Sequence, residues 1–166
     1  NMWTIIKYKK NNLSFLINSL QKKFNNTFSF YNPRIKYEQV LKSKRLIKEK
    51  DLLGNYIFCY SKSFLDSSFV NILQNTKGLE YFLNGYSINQ KNIEKFISNC
   101  KNNEISDQII SPNFFLNLNI DNTKFLNGVF ANQVFKILEK RKKKIIISLN
   151  GLKAEIKKGK NLYFSF

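Results

Sequence analysis

The chain is poor in the side chains that carry most enzyme and metal chemistry. It contains no histidine, 2 cysteines and 6 glycines among its 166 residues. Without histidine it lacks the commonest general acid or base and the commonest metal ligand, and two distant cysteines cannot build the usual zinc site. The glycines form neither a GxxxxGK nor a GxGxxG phosphate loop. We therefore expect no enzyme, no metal ion and no cofactor.

The carboxylates give no sign of a catalytic pair. The 11 acidic residues are scattered and mostly interleaved with lysine, as at Glu49 beside Lys50, a pattern typical of surface pairing. Asp66 precedes Ser67 and Ser68, but the chain has no histidine to activate a hydroxyl. We interpret Asp66 as a helix cap.

Long hydrophobic runs are missing as well. The runs YIFCY and IIISL are short, and Lys7 interrupts the N-terminal one, which predicts neither a membrane span nor a secretory leader. We expect a cytoplasmic protein with no membrane partner, in which Cys59 and Cys100 are free thiols.

Positive charge is abundant, since 28 basic and 11 acidic residues give a net charge of +17. Such a charge favours an anionic partner, nucleic acid first. Only three of the basic residues are arginine, so we expect attraction to a phosphate backbone rather than reading of base edges. An AT-rich genome is an alternative source of part of the lysine content.

The segment from Lys50 to Gly85 is the most informative. Within it Tyr56, Phe58 and Tyr60 alternate with Ile57 and Cys59, which predicts a strand that is apolar on both faces. Helices of the chain can cover one face, and we expect the aromatic face to await a partner. The alternative is a strand that a larger fold buries on both faces.

Hydrophobic periodicity predicts an α+β fold with the order β-α-β-β-α-β-α, a split βαβ plan with an appended helix. Residues 40–51 read as an exposed hairpin or a mobile loop, and residues 101–112 as a polar linker. Beyond it, KIIISL, Asn150-Gly151 and LKAEI predict a β-hairpin of a small barrel. Residues 130–143 also fit an amphipathic helix, so the C-terminal segment has two open interpretations, a barrel with a helix-prone strand or a switch between two folds.

Six segments, in order, resemble the NusG/RfaH family of transcription elongation factors. They are MWTIIKYKK, LLGNYIFCY, NTKGLEYFL, NQKNIEKFI, NGVFANQVFKI and IIISLNGLKAEIKKGKN. Gly54, Asn55 and Asn132 depart from the usual Pro, Gly and Gly of the family. The resemblance implies a ferredoxin-like N-terminal domain at 2–100, a linker at 101–113, and a KOW-type β-barrel at 114–166 that in some members is a helical hairpin.

The resemblance also implies the partners and the residues that bind them. It implies binding to the clamp helices of RNA polymerase through Tyr56, Phe58 and Phe82, with Ile5 nearby, and to its gate loop through Ser67 and Ser68. It implies contact with non-template DNA through Lys9, Lys10, Lys23 and Lys77. An ordinary core position is the alternative for Phe82, and a solvated surface is the alternative for each lysine.

From these observations we expect a monomeric elongation and antitermination factor. Its KOW domain would recruit the ribosomal small subunit or a termination factor. The alternative is a ribosome- or RNA-binding KOW protein that does not act on RNA polymerase and whose sheet aromatics stack bases.

Overall fold

The computed structural model describes residues 2–25, 27–42, 44–111 and 114, and four strands between residues 135 and 165. The described part of the chain is a mixed α+β structure with two sheets and three α-helices, as the periodicity predicts. The helices are α1 (Leu13–Lys23), α2 (Ser67–Leu73) and α3 (Gln90–Lys101). The strands are β1 (Met2–Tyr8), β2 (Ser29–Tyr31), β3 (Arg34–Leu41), β4 (Lys44–Asp51), β5 (Tyr56–Ser61), β6 (Leu79–Phe82), β7 (Glu104–Ser106), β8 (Ile109–Ile110), β9 (Phe135–Lys140), β10 (Lys144–Leu149), β11 (Leu152–Lys157) and β12 (Phe164–Ser165).

The chain divides into two compact units. The first consists of Asn1–Asn32 and Asn55–Glu94, and the second of Pro33–Gly54 and Lys95–Phe166. The predicted boundaries at 2–100, 101–113 and 114–166 stay predictions. Each unit contains one of the two sheets.

The first unit is built on a four-stranded sheet with the order β2-β5-β1-β6. Every neighbouring pair in it is antiparallel. The strand predicted from the alternation between Tyr56 and Tyr60 is confirmed as β5, which pairs along its whole length with β1. A register irregularity between Lys7 and Tyr8 interrupts the pairing of β1 with β6.

One face of this sheet carries the core of the unit. Alternation along β1 and β5 turns Ile6, Ile57 and Cys59 towards this core, where Leu16 and Leu20 of α1 pack with them. Fully burying such an aliphatic side chain stabilises a fold by about 1.5–3 kcal/mol, so this cluster fixes how the helices lie on the sheet.

Two local features set the ends of elements in this unit. Asp66 is the N-cap of α2, and its carboxylate accepts a hydrogen bond from the Ser68 backbone N–H at 2.9 Å, which confirms the predicted cap. Gly78 has a φ of +91° in the turn that leads into β6. A Cβ at this position would lie 3.4 Å from Cβ of Leu16, so the turn sits directly against α1.

The side chain of Gln90, the first residue of α3, extends the hydrogen bonding of β1. Its Oε1 accepts from the Trp3 backbone N–H at 2.9 Å, and its Nε2 donates to the Trp3 carbonyl at 2.7 Å. The pairing of β6 with β1 covers only Ile6 to Tyr8. The Gln90 amide therefore replaces a strand residue opposite Trp3.

The second unit contains a long antiparallel hairpin formed by β3 and β4, with an eight-pair register from Arg34↔Asp51 to Leu41↔Lys44. It confirms the exposed hairpin predicted at 40–51 and begins earlier, because β3 starts at Arg34. The stretch at 101–112, expected to be a polar linker, also contains regular structure. Its Ile109 and Ile110 are buried strand residues of β8, which pairs with β7 and β3.

The C-terminal strands belong to the same unit. The predicted hairpin is confirmed, since β10 and β11 pair from Lys144↔Lys157 to Leu149↔Leu152. Residues 135–140 form β9 beside β10, which agrees with the interpretation of a helix-prone strand. The rest of 130–143 lies outside the described residues, and a switch between two folds stays a prediction. The sheet runs in the order β7-β8-β3-β12-β11-β10-β9, with β4 beside β3, and its described strands do not close into a barrel.

None of the helices in the described residues has the length and apolar character that crossing a membrane requires. Cys59 and Cys100 are buried free thiols, as expected.

Candidate functional site

The candidate site begins with the sheet face of the first unit that lies opposite α1 and α2. The β1–β5 register places Trp3 beside Tyr60, Ile5 beside Phe58, and Lys7 beside Tyr56 on this face. Tyr31 of β2 pairs with Phe58, and Tyr81 of β6 pairs with Lys7. We call this surface the ring face; it consists of Trp3, Ile5, Lys7, Tyr31, Tyr56, Phe58, Tyr60 and Tyr81.

The aromatic face predicted from the alternation of β5 is therefore present, but it is not open throughout. Phe58 is 0% exposed and Ile5 1% exposed, which contradicts the expectation of a bare surface at these two residues. The Phe58 ring packs edge-on to Trp3 at 6.3 Å and nearly parallel to Tyr31 at 6.2 Å between centroids. Trp3 and Tyr31, its neighbours on the same face, thus contribute to the burial of Phe58.

The accessible part of the ring face lies around this buried centre. Trp3, Tyr56 and Tyr60 are half-buried, and Tyr81 is 38% exposed. The Trp3 and Tyr60 rings lie 4.9 Å apart, so they form one continuous aromatic surface. Rings of this kind bury much area with few rotamers, which suits them to a protein interface.

A polar cluster occupies one end of the ring face. The hydroxyl oxygens of Tyr56 and Tyr81 lie 3.0 Å apart, and Nζ of Lys7 lies 5.8 Å and 5.2 Å from the centroids of their rings. Lys7 also pairs with Glu80 at 3.1 Å. Its hydrogen bond to Glu80 is the main cause that raises the pKa of Lys7, so the ammonium stays charged among the rings.

The phenol of Tyr56 is perturbed by the same cluster. Desolvation, followed by the hydrogen bond to Tyr81, raises the pKa of Tyr56 to about 12. Both causes oppose the phenolate. Near neutral pH this end of the ring face therefore presents the neutral hydroxyl of Tyr56 and the paired ammonium of Lys7.

Phe82 does not share the ring face with Tyr56 and Phe58. It is 7% exposed and belongs to the helix-covered core, where its ring lies 6.0 Å from that of Phe64. The core alternative for this residue is the one that the structure supports. Tyr81 and Phe82 lie on opposite faces because successive residues of a strand alternate, and they pair with Lys7 and Ile6 in regular register.

The two serines expected at the polymerase gate loop lie at the start of α2. Ser68 is exposed, and both its backbone N–H and its hydroxyl donate to Oδ1 of Asp66, the hydroxyl at 2.6 Å. The side chain of Ser67 lies outside the described residues. A contact of either serine with a partner stays a prediction.

Three of the four predicted DNA-binding lysines meet at one end of the first unit. The backbone N–H of Lys9 donates to the carbonyl of Gly78 at 2.9 Å, which brings Lys9 and Lys10 next to Lys77. All three are exposed. Nζ of Lys77 lies 5.3 Å from the ring centroid of Phe15, an aromatic that is 46% exposed. We call Lys9, Lys10, Lys77 and Phe15 the basic corner.

Lys23 does not belong to the basic corner. It is the last residue of α1, while the corner lies beside the first turn, so the helix separates them by about 15 Å. Together with Lys22 it occupies the last turn, where a positive charge interacts favourably with the helix dipole. A solvated position at a helix end accounts for Lys23.

Sequence reasoning missed several members of these surfaces. Trp3, Lys7, Tyr31 and Tyr81 belong to the ring face, and Phe15 to the basic corner. Alternation along β1 places Trp3, Ile5 and Lys7 on one side of the strand, so Trp3 and Lys7 could have been predicted from the sequence. Tyr81 was missed because the resemblance implied that its neighbour Phe82 lies on this face, and alternation along β6 puts the two residues on opposite faces.

No protein-family model matches the chain, and no curated protein matches it. Among the residues that the structure describes, no group of three or more Cys, Asp or Glu side chains is placed to hold a metal ion. The geometry itself, an aromatic surface and a basic corner on one small unit, is the basis for the functional proposal.

Proposed function

We propose that this chain is a transcription elongation and antitermination factor of the NusG/RfaH type. In this proposal it is a cytoplasmic binding protein and not an enzyme. Its first unit binds the clamp helices of RNA polymerase and the non-template DNA strand. The ring face is the single observation that carries the proposal.

The topology of the first unit supports a ferredoxin-like fold. In the order β2-β5-β1-β6, strand β5 lies between β1 and β2, the two strands that α1 connects. Likewise β1 lies between β5 and β6, which α2 connects. This interleaving with antiparallel neighbours is the split βαβ arrangement that the proposed family uses.

The ring face suits contact with a protein helix. The ring face provides accessible aromatic area through Trp3, Tyr56, Tyr60 and Tyr81. The buried Phe58 packs among its neighbours and supports this surface. Aromatic side chains of this kind are the usual energetic centres of protein interfaces. We propose that Tyr56 and its neighbours dock on the clamp helices, with Ile5 and Phe58 as their support.

The basic corner suits the phosphate backbone of a single strand. Lys9, Lys10 and Lys77 are exposed and share one end of the unit, so they can neutralise successive phosphates. Binding of this kind needs no reading of base edges, which agrees with the scarcity of arginine. We propose Lys9, Lys10 and Lys77, without Lys23, as the contact to non-template DNA.

The C-terminal strands β9, β10 and β11 form an antiparallel meander, which supports the proposal of a KOW-type module. In this proposal the module recruits the ribosomal small subunit or a termination factor. A factor that prefers the elongating state of the polymerase shifts its population towards that state, which would suppress pausing.

Affinity purification of RNA polymerase tests the proposal. Tyr56→Ala combined with Tyr81→Ala removes two accessible rings, and we expect at least about a tenfold loss of polymerase binding. Phe15→Ala is the matched control, because it removes an exposed ring from the basic corner and leaves the ring face intact. Circular dichroism establishes that each variant is folded.

Full retention of polymerase by the folded double variant would reject the docking assignment. Recovery of ribosomal RNA without polymerase subunits would instead favour the RNA-binding KOW protein. We do not use Phe58→Ala in this test, because emptying a fully buried aromatic site destabilises a fold by about 3–5 kcal/mol.

A further inference from the structure

The hairpin of β3 and β4 separates its charges between its two faces. Residues that pair directly in an antiparallel hairpin lie on the same face. One face thus carries equal numbers of basic and acidic residues: Arg34, Lys36, Arg45, Glu38, Glu49 and Asp51. Ion pairs link them, with Arg34 2.7 Å from Glu49 and Arg45 3.6 Å from Glu38.

The opposite face carries only positive charge within the described strands. It consists of Ile35, Tyr37, Gln39 and Leu41 on β3 and Lys44, Leu46, Lys48 and Lys50 on β4. We call it the lysine face. At the end far from the turn this face is poorly accessible to solvent, since Ile35 is buried and Lys50 is half-buried. Towards the tip Lys44 and Lys48 are exposed. Lys42, in the turn, is exposed beside them.

The spacing of the exposed lysines fits a regular polyanion. A strand rises by about 3.4 Å per residue, so Lys44 and Lys48 lie about 14 Å apart along β4. Each strand of double-helical DNA carries one phosphate per about 3.4 Å of axis. The pairing of β3 with β12 ends at Glu38, so beyond this residue the hairpin has only its two strands among the described ones, and a two-stranded ribbon of this kind fits the major groove. Leu46, between the two lysines, is 42% exposed and can contact a thymine methyl group.

A membrane surface fits this tip less well. Three exposed aliphatic residues lie near the tip. Leu41 and Leu46 are on the lysine face, but Ile47 is on the other face, where it pairs with Glu38. A membrane would therefore contact only part of the apolar surface.

Protection of a sheet edge is another role for these lysines. They lie on β4, which has β3 as its only described neighbour, and lysines on such a strand discourage pairing with a foreign strand. Edge protection alone, however, does not explain why all the acidic residues of the hairpin lie on the other face.

We propose that the lysine face of the β3–β4 hairpin binds double-stranded nucleic acid, with the ribbon lying along a groove and Lys44 and Lys48 on the phosphates. This contact lies beyond the polymerase and single-strand contacts proposed above and uses different residues. It would give the protein a second, duplex-directed site.

Fluorescence anisotropy with the full chain and a labelled DNA duplex of about 20 base pairs tests this site. In Lys44→Gln combined with Lys48→Gln we expect about tenfold weaker duplex binding and a salt slope that falls by about 1.8. Lys36→Gln combined with Arg45→Gln is the matched control, because it removes the same charge from the opposite face. We expect less than about a threefold loss in that control.

Equal losses in the two double variants would overturn the proposal, because they would reduce the effect to net charge. An unchanged affinity in the lysine-face variant would do the same. Binding to phosphatidylserine vesicles that Leu41→Ser with Leu46→Ser abolishes, without duplex binding by the wild type, would assign the tip to a membrane surface. None of these results depends on polymerase binding, which the ring face determines.

Discussion

The hydroxyl oxygens of Tyr56 and Tyr81 lie 3.0 Å apart at the end of the ring face, with the Lys7 ammonium within 6 Å of both ring centroids. The two tyrosines come from β5 and β6, which do not pair with each other but flank β1. Their contact therefore connects the two neighbours of Lys7 across the sheet and gives this part of the site a measurable titration.

The first prediction concerns stability at alkaline pH. The pKa of Tyr56, about 12, lies above the value of about 10 expected in an unfolded chain. A raised pKa stabilises the fold below about pH 10, and this contribution is lost as the pH rises towards about 12. We expect the free energy of unfolding of Tyr56→Phe to fall less steeply across this window than that of the wild type, measured by urea denaturation.

Tyr60→Phe is the matched control for this measurement, because Tyr60 lies on the same strand but outside the Tyr56–Tyr81 contact. Ionisation of other groups affects all three proteins alike and cancels in the comparison. Parallel pH profiles for wild type and Tyr56→Phe would contradict the assignment of the raised pKa.

The second prediction separates the basic corner from the end of α1. Lys9→Gln combined with Lys77→Gln removes two charges that lie together, and we expect about tenfold weaker binding to single-stranded DNA, with a salt slope smaller by about 1.4. Lys22→Gln combined with Lys23→Gln removes two charges from the other end of the helix. Anisotropy titrations that gave the two variants the same loss would show that position does not matter.

The third prediction concerns the turn that supports the basic corner. Gly78 has a φ of +91°, and its carbonyl accepts the hydrogen bond from Lys9. We expect Gly78→Ala to lower the free energy of unfolding by about 1–2 kcal/mol, because a side chain disfavours this backbone conformation. Gln74→Ala, at an exposed position, should stay within about 0.5 kcal/mol of the wild type. A thermal unfolding experiment that ranked the two variants equally would refute the argument.

The fourth prediction concerns the two thiols. Burial is the main cause that raises the pKa of Cys59 and Cys100 well above the usual value, so both stay protonated in the fold. We expect them to react with dithiodipyridine at least about 100-fold more slowly in the native protein than in denaturant. Rapid labelling of both thiols without unfolding would be inconsistent with their buried positions.

Sequence reasoning performed best where one period ran without interruption. The alternation of Tyr56, Phe58 and Tyr60 with Ile57 and Cys59 predicted both the strand and its two faces, because pairing with β1 continues along the whole of β5. The Asn150-Gly151 dipeptide, a turn signal between two apolar runs of the sequence, likewise predicted the β10–β11 hairpin.

The rest depended on contacts between distant segments. A strand period shows that Phe58 shares a face with Tyr56, but not that Tyr31 and Trp3 pack against Phe58. Residues 130–143 carry a helical pattern, yet 135–140 form a strand, because pairing with β10 overrides local propensity. Ile109 and Ile110 looked like part of a polar linker, since two apolar residues are too few to show a period.

The bond between Gln90 and Trp3 has a practical consequence. Trp3 is the only tryptophan of the chain, and both backbone groups of this residue bond to the side chain that opens α3. Any event that pulls the beginning of this helix away must also disturb the surroundings of the indole. Intrinsic fluorescence of the unlabelled protein is thus a built-in reporter on the junction between sheet and helix.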